Sequence, residues 1–450
     1  MTDIVLYNTL SRRLEKFAPL KTGAVSMYQC GPTVYDTPHI GNYRTYIMDD
    51  IIRRVFEYND YAVTQVMNIT DVDDKTIRGS REQGLTLKQL TRKYEGLFMD
   101  GLDSLNVLRP QHIMRATEYI STMIDLVQNL LDKGAAYAAS DGIYMSIAQM
   151  PGYGDLAQLK PTLETRERIA NDEYDKENPR DFAIWKFRND NDGDVSWDAP
   201  FGAGRPGWHI ECSAMSMKIL GPTIDIHTGA MDLIFPHHTN EIAQSQASTG
   251  QQFVRYWIHG GLMSMNDEKM AKSKKNFVKL EDLIANSVSP LAFRYWLLTA
   301  HYRSPLNFTF EAIRGAQNAL IRLIKIVGSY PTGGNPIPQY IEQFKAFIDQ
   351  DLDIPKAVAL MWNLIKDTTQ NDADKHATLM DFDRVFGLKL ASVPKLEQED
   401  IPDEIKALAD AREDARQAKD WQKADALRSE IESRGFTVDD TSDGFVIRTS

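Results

Sequence analysis

Val25-Ser-Met-Tyr-Gln-Cys-Gly-Pro-Thr-Val-Tyr-Asp36, followed after Thr37 by Pro38-His-Ile-Gly-Asn42, is the stretch on which the fold of this chain turns. Its first part, Ala24 to Gln29, reads as a short strand ending at Cys30. Its second part opens a helix, because apolar residues recur at helical spacing from Tyr43 to Tyr58. Tyr61 to Ile69 is again rich in β-branched and aromatic residues, so the unit is strand, helix, strand. In a parallel sheet such a unit places its first loop at the carboxyl end of the strands, where open α/β folds bind ligands opposite a helix N-terminus. Cys30 through Asn42 occupy that loop.

Working outward, strand-like segments return at Thr223 to Ile226 and Phe253 to Ile258, which would complete the sheet. Long helices are expected from about Thr86 to Lys133, and a looser stretch rich in Gly, Pro and charge, Gly152 to Phe201, reads as an insertion. Lys269, Lys272, Lys274, Lys275 and Lys279 make a basic run that is either a phosphate-binding loop or an ordinary solvated one. Helices follow from Leu280 to about Val327, then a polar, Pro/Gly-rich break at Ser329 to Pro338, then helices from Tyr340 to Leu388. A charged linker, Val393 to Asp400, precedes Pro402 at a helix-start position. The tail reads as helix, helix and a hairpin of Phe436 to Val438 with Phe445 to Arg448, Gly435 ending the second helix. There is no internal repeat or low-complexity tract.

At 450 residues, with 42% hydrophobic and 25% charged residues, the chain has the composition of ordinary globular domains, about three at ~150 residues each. The net charge of -12 argues against a generally basic surface, so nucleic acid would be met by local patches or base-reading polar groups. There is no apolar secretory segment and no apolar run of membrane-spanning length, and the chain has only 2 cysteines; a cytoplasmic protein without a structural disulfide is expected.

Taken bare, Cys30 and Cys212 read equally well as buried small hydrophobes. In Phe235-Pro-His-His-Thr-Asn-Glu241, Pro236 sits where a helix can start, His237 and Glu241 share a helical face, and His238 nearly shares it. Thiolate, imidazole and carboxylate are ligands that zinc favours, so Cys30, Cys212, one of the two histidines and Glu241 would compose a mixed four-ligand shell. A His-x-x-x-Glu pair is also an ordinary exposed hydrogen-bonded pair, and spacing leaves both readings open.

Seven ordered motifs carry a resemblance. Cys30-Gly-Pro-Thr-Val-Tyr-Asp36, His39-Ile-Gly-Asn42, Asn68-Ile-Thr-Asp-Val-Asp-Asp-Lys75, Gly204-Arg-Pro-Gly-Trp-His-Ile-Glu-Cys-Ser-Ala-Met215, Asp232-Leu-Ile-Phe-Pro-His-His238, Lys269-Met-Ala-Lys-Ser273 and His301-Tyr-Arg-Ser-Pro-Leu-Asn307 together resemble the cysteinyl-tRNA synthetase family. The tail Ala415-Arg-Gln-Ala-Lys-Asp-Trp-Gln-Lys-Ala-Asp425 is similar to that family's anticodon-binding end, so the match covers nearly the whole chain. The resemblance implies an α/β fold: a class I synthetase Rossmann-like parallel-sheet catalytic domain with an insertion, then a helical bundle and a small α/β anticodon-binding domain. The expected divisions are 1–80 with 201–268 for the catalytic domain, 81–200 for the connective insertion, 269–328 for the lysine-loop and stem-contact region, 329–395 for the bundle and 396–450 for anticodon binding.

The activity implied is activation of L-cysteine by ATP, with Mg2+, and transfer to tRNA-Cys by a monomer. Attack of a carboxylate on the α-phosphorus needs no protein nucleophile, only in-line positioning and charge stabilisation. The resemblance assigns both to His39 and Asn42 at a helix N-terminus, Gly41 leaving room for adenosine, and Lys269 and Lys272 on their loop. It also implies one zinc per chain held by Cys30, Cys212, His237 and Glu241, with His238 as an alternate. Zinc would read sulfur against oxygen where size alone gives only ~1 to 3 kcal/mol. Gly31, Thr70, Trp208 and Asp232 are implied for the amino-acid pocket. His209 and His227 are either supporting donors or buried bystanders. Arg416, Trp421, Asp425 and Asp440 are implied for reading the anticodon. Departures from the family pattern are Asn42 for histidine, Ala271 for serine, Thr228-Gly-Ala230 for three glycines, and Ile447-Arg448 for Trp-Arg. No segment reads as an editing domain. A cysteine ligase acting on an amino sugar would share the core but lack the tail, and a non-catalytic paralogue would be expected to lose Lys269, Lys272 or a metal ligand.

Overall fold

Ala24–Gln29 is buried on both faces toward its carboxyl end, as a strand inside a helix-covered parallel sheet must be. The computed structural model describes residues 3–159, 181–266, 268–269, 277–392, 402–441 and 444–449. The central sheet runs Val254–Gly260, Ile224–Ala230, Ala24–Gln29, Ala62–Ile69, His112–Arg115, every neighbouring pair parallel. The chain therefore builds outward from Ala24–Gln29 in one direction, then returns to its other side with Ile224–Ala230. That reversal leaves a crevice between the carboxyl ends of these two strands, and Cys30 and Thr228 to Ala230 stand at its two lips.

Helix Ile40–Tyr58 covers the sheet with Ile40, Tyr43, Ile47, Ile51, Ile52, Val55 and Phe56, an apolar stripe at helical spacing. Arg44, only 6% exposed, lies in this helix and donates to three carbonyls, those of Leu262 (2.7 Å), Tyr302 (3.2 Å) and Ser304. It ties the helix to the strand Met263–Met265, which pairs with Glu268–Lys269 and Leu306–Phe308 in a small separate sheet.

Two stretches differ from the sequence reading. The helical run expected from Thr86 to Lys133 is two helices, Leu87–Ser104 and Ile120–Asp132, separated by the edge strand His112–Arg115. Left-handed Asn106 (φ 54°) and Pro110 interrupt the helical pattern, so the parallel sheet takes its edge from residues expected to belong to the insertion. The antiparallel sheet Ala136–Ala138, Gly142–Met145, Phe182–Phe187, Gly204–Pro206 likewise extends past residue 200. Pro236 follows a kink at Phe235 (φ -137°, ψ 131°), after which the backbone is helical and runs into the α-helix Thr239–Thr249, in keeping with its expected place at a helix start.

Helices Leu280–Ala285, Pro290–Leu298 and Phe310–Ser329 lead into the bundle Pro338–Ile348, Ile354–Lys366, Asp372–Phe386. One hydrophobic core spans the helix Ile40–Tyr58 and this bundle, and Phe344 stacks on Phe382 at 4.1 Å within it. The tail has its own small core of Ile405, Ala409, Ile431 and Val438 beneath helices Asp403–Gln417 and Trp421–Ser433 and the strand pair Phe436–Thr441 and Gly444–Thr449. Gly435 (φ 82°) ends the second helix in the left-handed region, as its sequence position suggests. The linker 393–400, part of the insertion and Lys272 with Ala271 lie outside the described residues. Among the described residues no helix is long and apolar enough to cross a membrane.

Candidate metal centre and nucleotide cleft

A cavity of about 490 Å³ opens at the crevice, lined among others by Cys30, Gly31, His39, Asn42, Trp208, Cys212, Asp232 and His237. At its floor four donors meet. The Cys30 and Cys212 sulfurs are 3.9 Å apart; His237 Nε2 lies 3.4 Å from Cys212 Sγ and 3.1 Å from Glu241 Oε1, and that oxygen lies 3.9 Å from Cys30 Sγ. Cys30, Cys212, His237 and Glu241 offer ligand atoms all within 4.8 Å of one another, and Cys30, His227, His238 and Glu241 form a second overlapping group. A tetrahedral ion with ~2.3 Å bonds to sulfur spans ~3.8 Å between two thiolates, so the first group suits such a cation with little movement. In the second group His227 Nε2 already holds Glu241 Oε2 at 3.0 Å.

The surrounding rings lock these donors. His209 Nδ1 meets His237 Nδ1 at 2.8 Å, and His238 sits 3.4 Å from Cys30 with its other nitrogen 2.8 Å from His259, which reaches Thr9 Oγ1 at 2.8 Å. Burial opposes ionisation throughout, yet in the metal-free protein charge separates. Against burial, the Cys30 thiol and the His237 imidazolium pull Cys212 down to about 6. Against burial, Cys212 and Glu241 lift His237 to about 10, and His227 and His237 hold Glu241 at about 2. Burial and the bond with Cys212 keep the Cys30 thiol well above its usual range. Burial pushes His209 and His238 well down, and His259 to about 3. At neutral pH the floor therefore holds a thiolate, an imidazolium and a carboxylate beside a neutral thiol.

His39 caps the helix Ile40–Tyr58: its Nδ1 accepts from Asn42 N (3.3 Å), while Asn42 Oδ1 accepts from His39 N (3.1 Å). With Nδ1 an acceptor, the ring proton belongs on Nε2. Asparagine at 42 thus keeps a donating amide and adds a cap. The lysine run is brought to the same place. Lys269 pairs with Ser264 through its backbone, and the chain returns at Lys279, which bridges His39, with Ile40 N donating to Val278 O at 2.8 Å. The carboxyl end of the run is therefore anchored beside the first motif, although more than two hundred residues separate them in sequence.

The sequence model described as "tRNA synthetases class I (C) catalytic domain" matches residues 16–318, and "Cysteinyl-tRNA ligase anticodon binding domain" matches 398–448. A protein named cysteine–tRNA ligase from Chlamydia muridarum (strain MoPn / Nigg) is 41% identical over 473 residues, covering 99% of each chain. The chain belongs to the cysteine–tRNA ligase family. Relatives of the same name from Brachyspira hyodysenteriae (41% over 468 residues, 99% of each chain) and Chlamydia pneumoniae (42% over 465 residues, 98% of this chain and 97% of the relative) agree. The fold is that of class I synthetases. A methionyl-tRNA synthetase from Mycobacterium tuberculosis with bound methionyl-adenylate superposes with a TM-score of 0.55 at 16% identity, over 81% of this chain and 90% of that one. The Agrobacterium radiobacter K84 leucyl enzyme, in a ternary complex with tRNA, does so with 0.59 at 10% identity, over 83% and 84%.

The other residues expected from the cysteine–tRNA ligase resemblance are placed as follows. Trp208 is 39% exposed and lies over the His237 ring at 4.1 Å, and Asp232 is exposed at the cleft rim. Gly31 must be glycine, since an added Cβ would lie 1.6 Å from the Asn68 carbonyl oxygen. Thr70 does not line the cavity; it is 1% exposed, and its hydroxyl donates to Glu211 Oε2 at 2.8 Å. Of the three positions where the family has glycines, only Gly229 needs one: a Cβ there would meet His238 Cε1 at 2.6 Å, whereas Thr228 turns inward toward Tyr28 O at 3.5 Å and Ala230 lines the cleft. In the tail Trp421 (60% exposed) and Asp425 share one helix face, Arg416 pairs with Glu413 at 3.1 Å, and the side chain of Asp440 lies outside the described residues. Sequence reasoning missed Arg44, Asn68, Glu211 and His259, although Asn68 and Glu211 stand inside two of the quoted motifs and could have been found there.

Proposed function

We propose that the protein activates L-cysteine with ATP to cysteinyl-adenylate and transfers it to tRNA-Cys, with a zinc ion at the cleft floor. One observation carries the reading: a two-thiol, imidazole and carboxylate cluster lies at the base of the same cavity whose rim is His39 and Asn42. Cys30, Cys212, His237 and Glu241 would hold the ion, which supplies a Lewis acid that prefers sulfur and lowers the pKa of the substrate thiol. His39, through Nε2–H, and the Asn42 amide donate toward the phosphates at a helix N-terminus whose dipole favours anions. Lys269 and Lys272 neutralise phosphate charge from the loop anchored at His39. Asp232 at the rim pairs with the substrate ammonium, and the Trp208 ring walls the pocket and excludes water. Arg416, Trp421, Asp425 and Asp440 read the anticodon.

The test has two parts. Cysteine-dependent exchange of pyrophosphate into ATP should occur without tRNA, and charging should require tRNA-Cys. Absence of exchange sinks the catalytic reading; exchange without charging favours the amino-sugar ligase. Trp421→Ala should lower kcat/KM for tRNA charging about 5- to 150-fold, the ~1 to 3 kcal/mol worth of one stacked base, and leave exchange unchanged. Equal loss in both assays would remove Trp421 from the tRNA reading.

Metal uptake also has a pH signature. Between about 6 and about 10 the metal-free site has Cys212 ionised but His237 and Cys30 protonated. Binding in that window therefore releases about two protons, and log K for zinc should rise with pH by about two per unit. Below about 6 the Cys212 thiolate also takes a proton, so the slope steepens as pH falls. Calorimetric titration of zinc at pH 8 in buffers of different ionisation enthalpy counts the protons directly; a count near zero contradicts the assignment.

A further inference from the structure

We propose that Glu211, acting through Thr70 and Asn68, is a positioning residue that sets the separation of the two thiol ligands Cys30 and Cys212. The two cysteines stand on different elements, one on the loop after Ala24–Gln29 and one in the helix Trp208–Leu220. Their chain neighbours, Gly31 and Glu211, are joined by hydrogen bonds through the carboxyl end of the strand Ala62–Ile69. Gly31 N donates to Asn68 Oδ1 (2.8 Å), Asn68 Nδ2 donates to Thr70 Oγ1 (3.2 Å), and the Thr70 hydroxyl donates to Glu211 Oε2 (2.8 Å). The link is stiff. Asn68, Thr70 and Glu211 are each at most 1% exposed, and Gly31 is pressed so closely on Asn68 that no Cβ fits between them. With one end fixed beside Cys30 and the other beside Cys212, the strut holds both sulfurs at their 3.9 Å spacing before any ion arrives.

Packing does not explain Glu211. Its Oε1 is buried with no hydrogen-bond partner among the described residues, and a half-partnered carboxyl in an apolar surrounding disfavours folding. An apolar side chain of similar size would serve the fold better, which is the pattern of a residue retained for a site.

The proposal rests on the metal reading above, so the full-length protein is first freed of metal and titrated with Co(II). A one-to-one complex with the intense visible bands of a tetrahedral thiolate site is expected; without it the metal reading itself falls. Glu211→Leu should then weaken Co(II) binding about 10- to 100-fold and shift those bands. The melting temperature of the metal-free variant should stay level or rise. Glu211→Gln keeps an oxygen for the Thr70 hydroxyl and should restore both affinity and spectrum. Thr70→Val breaks the next link and should behave like Glu211→Leu; if Glu211→Leu does not fold, Thr70→Val decides alone. Parental Co(II) affinity and spectrum in these variants overturn the strut while leaving the metal reading intact. A lowered metal-free melting temperature that Glu211→Gln does not rescue assigns Glu211 to stability alone and overturns it equally.

Discussion

Cys212→Ser is expected to empty the metal site and to collapse selection of cysteine over serine. The sulfur of Cys212 is 1% exposed, lies 3.9 Å from Cys30 and 3.4 Å from His237, and against burial is pulled down toward the thiolate a soft cation needs by the Cys30 thiol and the His237 imidazolium. A serine hydroxyl there stays neutral at any working pH. It offers a hard donor, removes one negative charge from the cluster and leaves His237 and Glu241 paired with each other. What survives is a pocket that distinguishes sulfur from oxygen by size and hydrogen bonding, worth only ~1 to 3 kcal/mol. In pyrophosphate exchange the cysteine-to-serine ratio of kcat/KM should therefore fall by at least about two orders of magnitude, toward the roughly 10- to 200-fold that such a pocket achieves. Atomic emission should find less than stoichiometric zinc in the purified variant. Retention of full metal content together with the parental ratio would falsify the assignment. The substitution removes little bulk, so far-ultraviolet dichroism should be unchanged.

Arg294→Ala is expected to cost the fold about 3 to 5 kcal/mol, the usual consequence of removing one partner from a buried charge pair. The guanidinium is 0% exposed and bonds Asp50 Oδ2 (2.5 Å), Phe386 O (2.6 Å), Leu105 O (3.2 Å) and Asn106 O (3.3 Å). It therefore fastens four segments: its own helix, the helix that begins at His39, the turn after Leu87–Ser104, and the end of Asp372–Phe386. Alanine leaves the Phe386 and Leu105 carbonyls without that donor in a dry core, whereas Asn106 O keeps Arg54 Nη2 (2.9 Å), and among the described residues Asp50 keeps Arg54 (2.7 Å) and Leu108 N (2.8 Å). Arg294→Lys keeps the charge but cannot form the fork, so an intermediate loss is expected. Urea unfolding measures both. A midpoint for Arg294→Ala within ~1 kcal/mol of the parent would mean that the surrounding carbonyls find water or other donors.

Much of the site was legible in the sequence because its parts are short motifs that carry their own geometry. His39-Ile-Gly-Asn42 is a helix cap written in four residues, and His237 and Glu241 lie one helical turn apart, so their 3.1 Å contact needs no long-range information. The strands Ala24–Gln29 and Ala62–Ile69 and the tail hairpin were readable for the same reason. The edge strand His112–Arg115 was not. Four residues with one buried position give almost no periodicity, and only pairing with Ala62–Ile69 makes them a strand. Thr70 shows the same limit within a motif. Its sequence position suggested the amino-acid pocket, but the fold turns its hydroxyl inward to Glu211.

The sequence by itself determined the motif order, the supply of two thiols and hence the family, because local caps, spacings and donor types are properties of neighbours along the chain. Only the tertiary structure decided which thiol meets which imidazole. Cys30 and Cys212 lie 182 positions apart, and nothing short of the parallel sheet reversing beside Ala24–Gln29 brings their sulfurs to 3.9 Å. It also sends the two adjacent histidines different ways, His237 beside Cys212 and Glu241 and His238 beside Cys30 and His259. The physical reason is the same in each case: a ligand set is defined by distances across elements, and those distances are set by packing rather than by the chain.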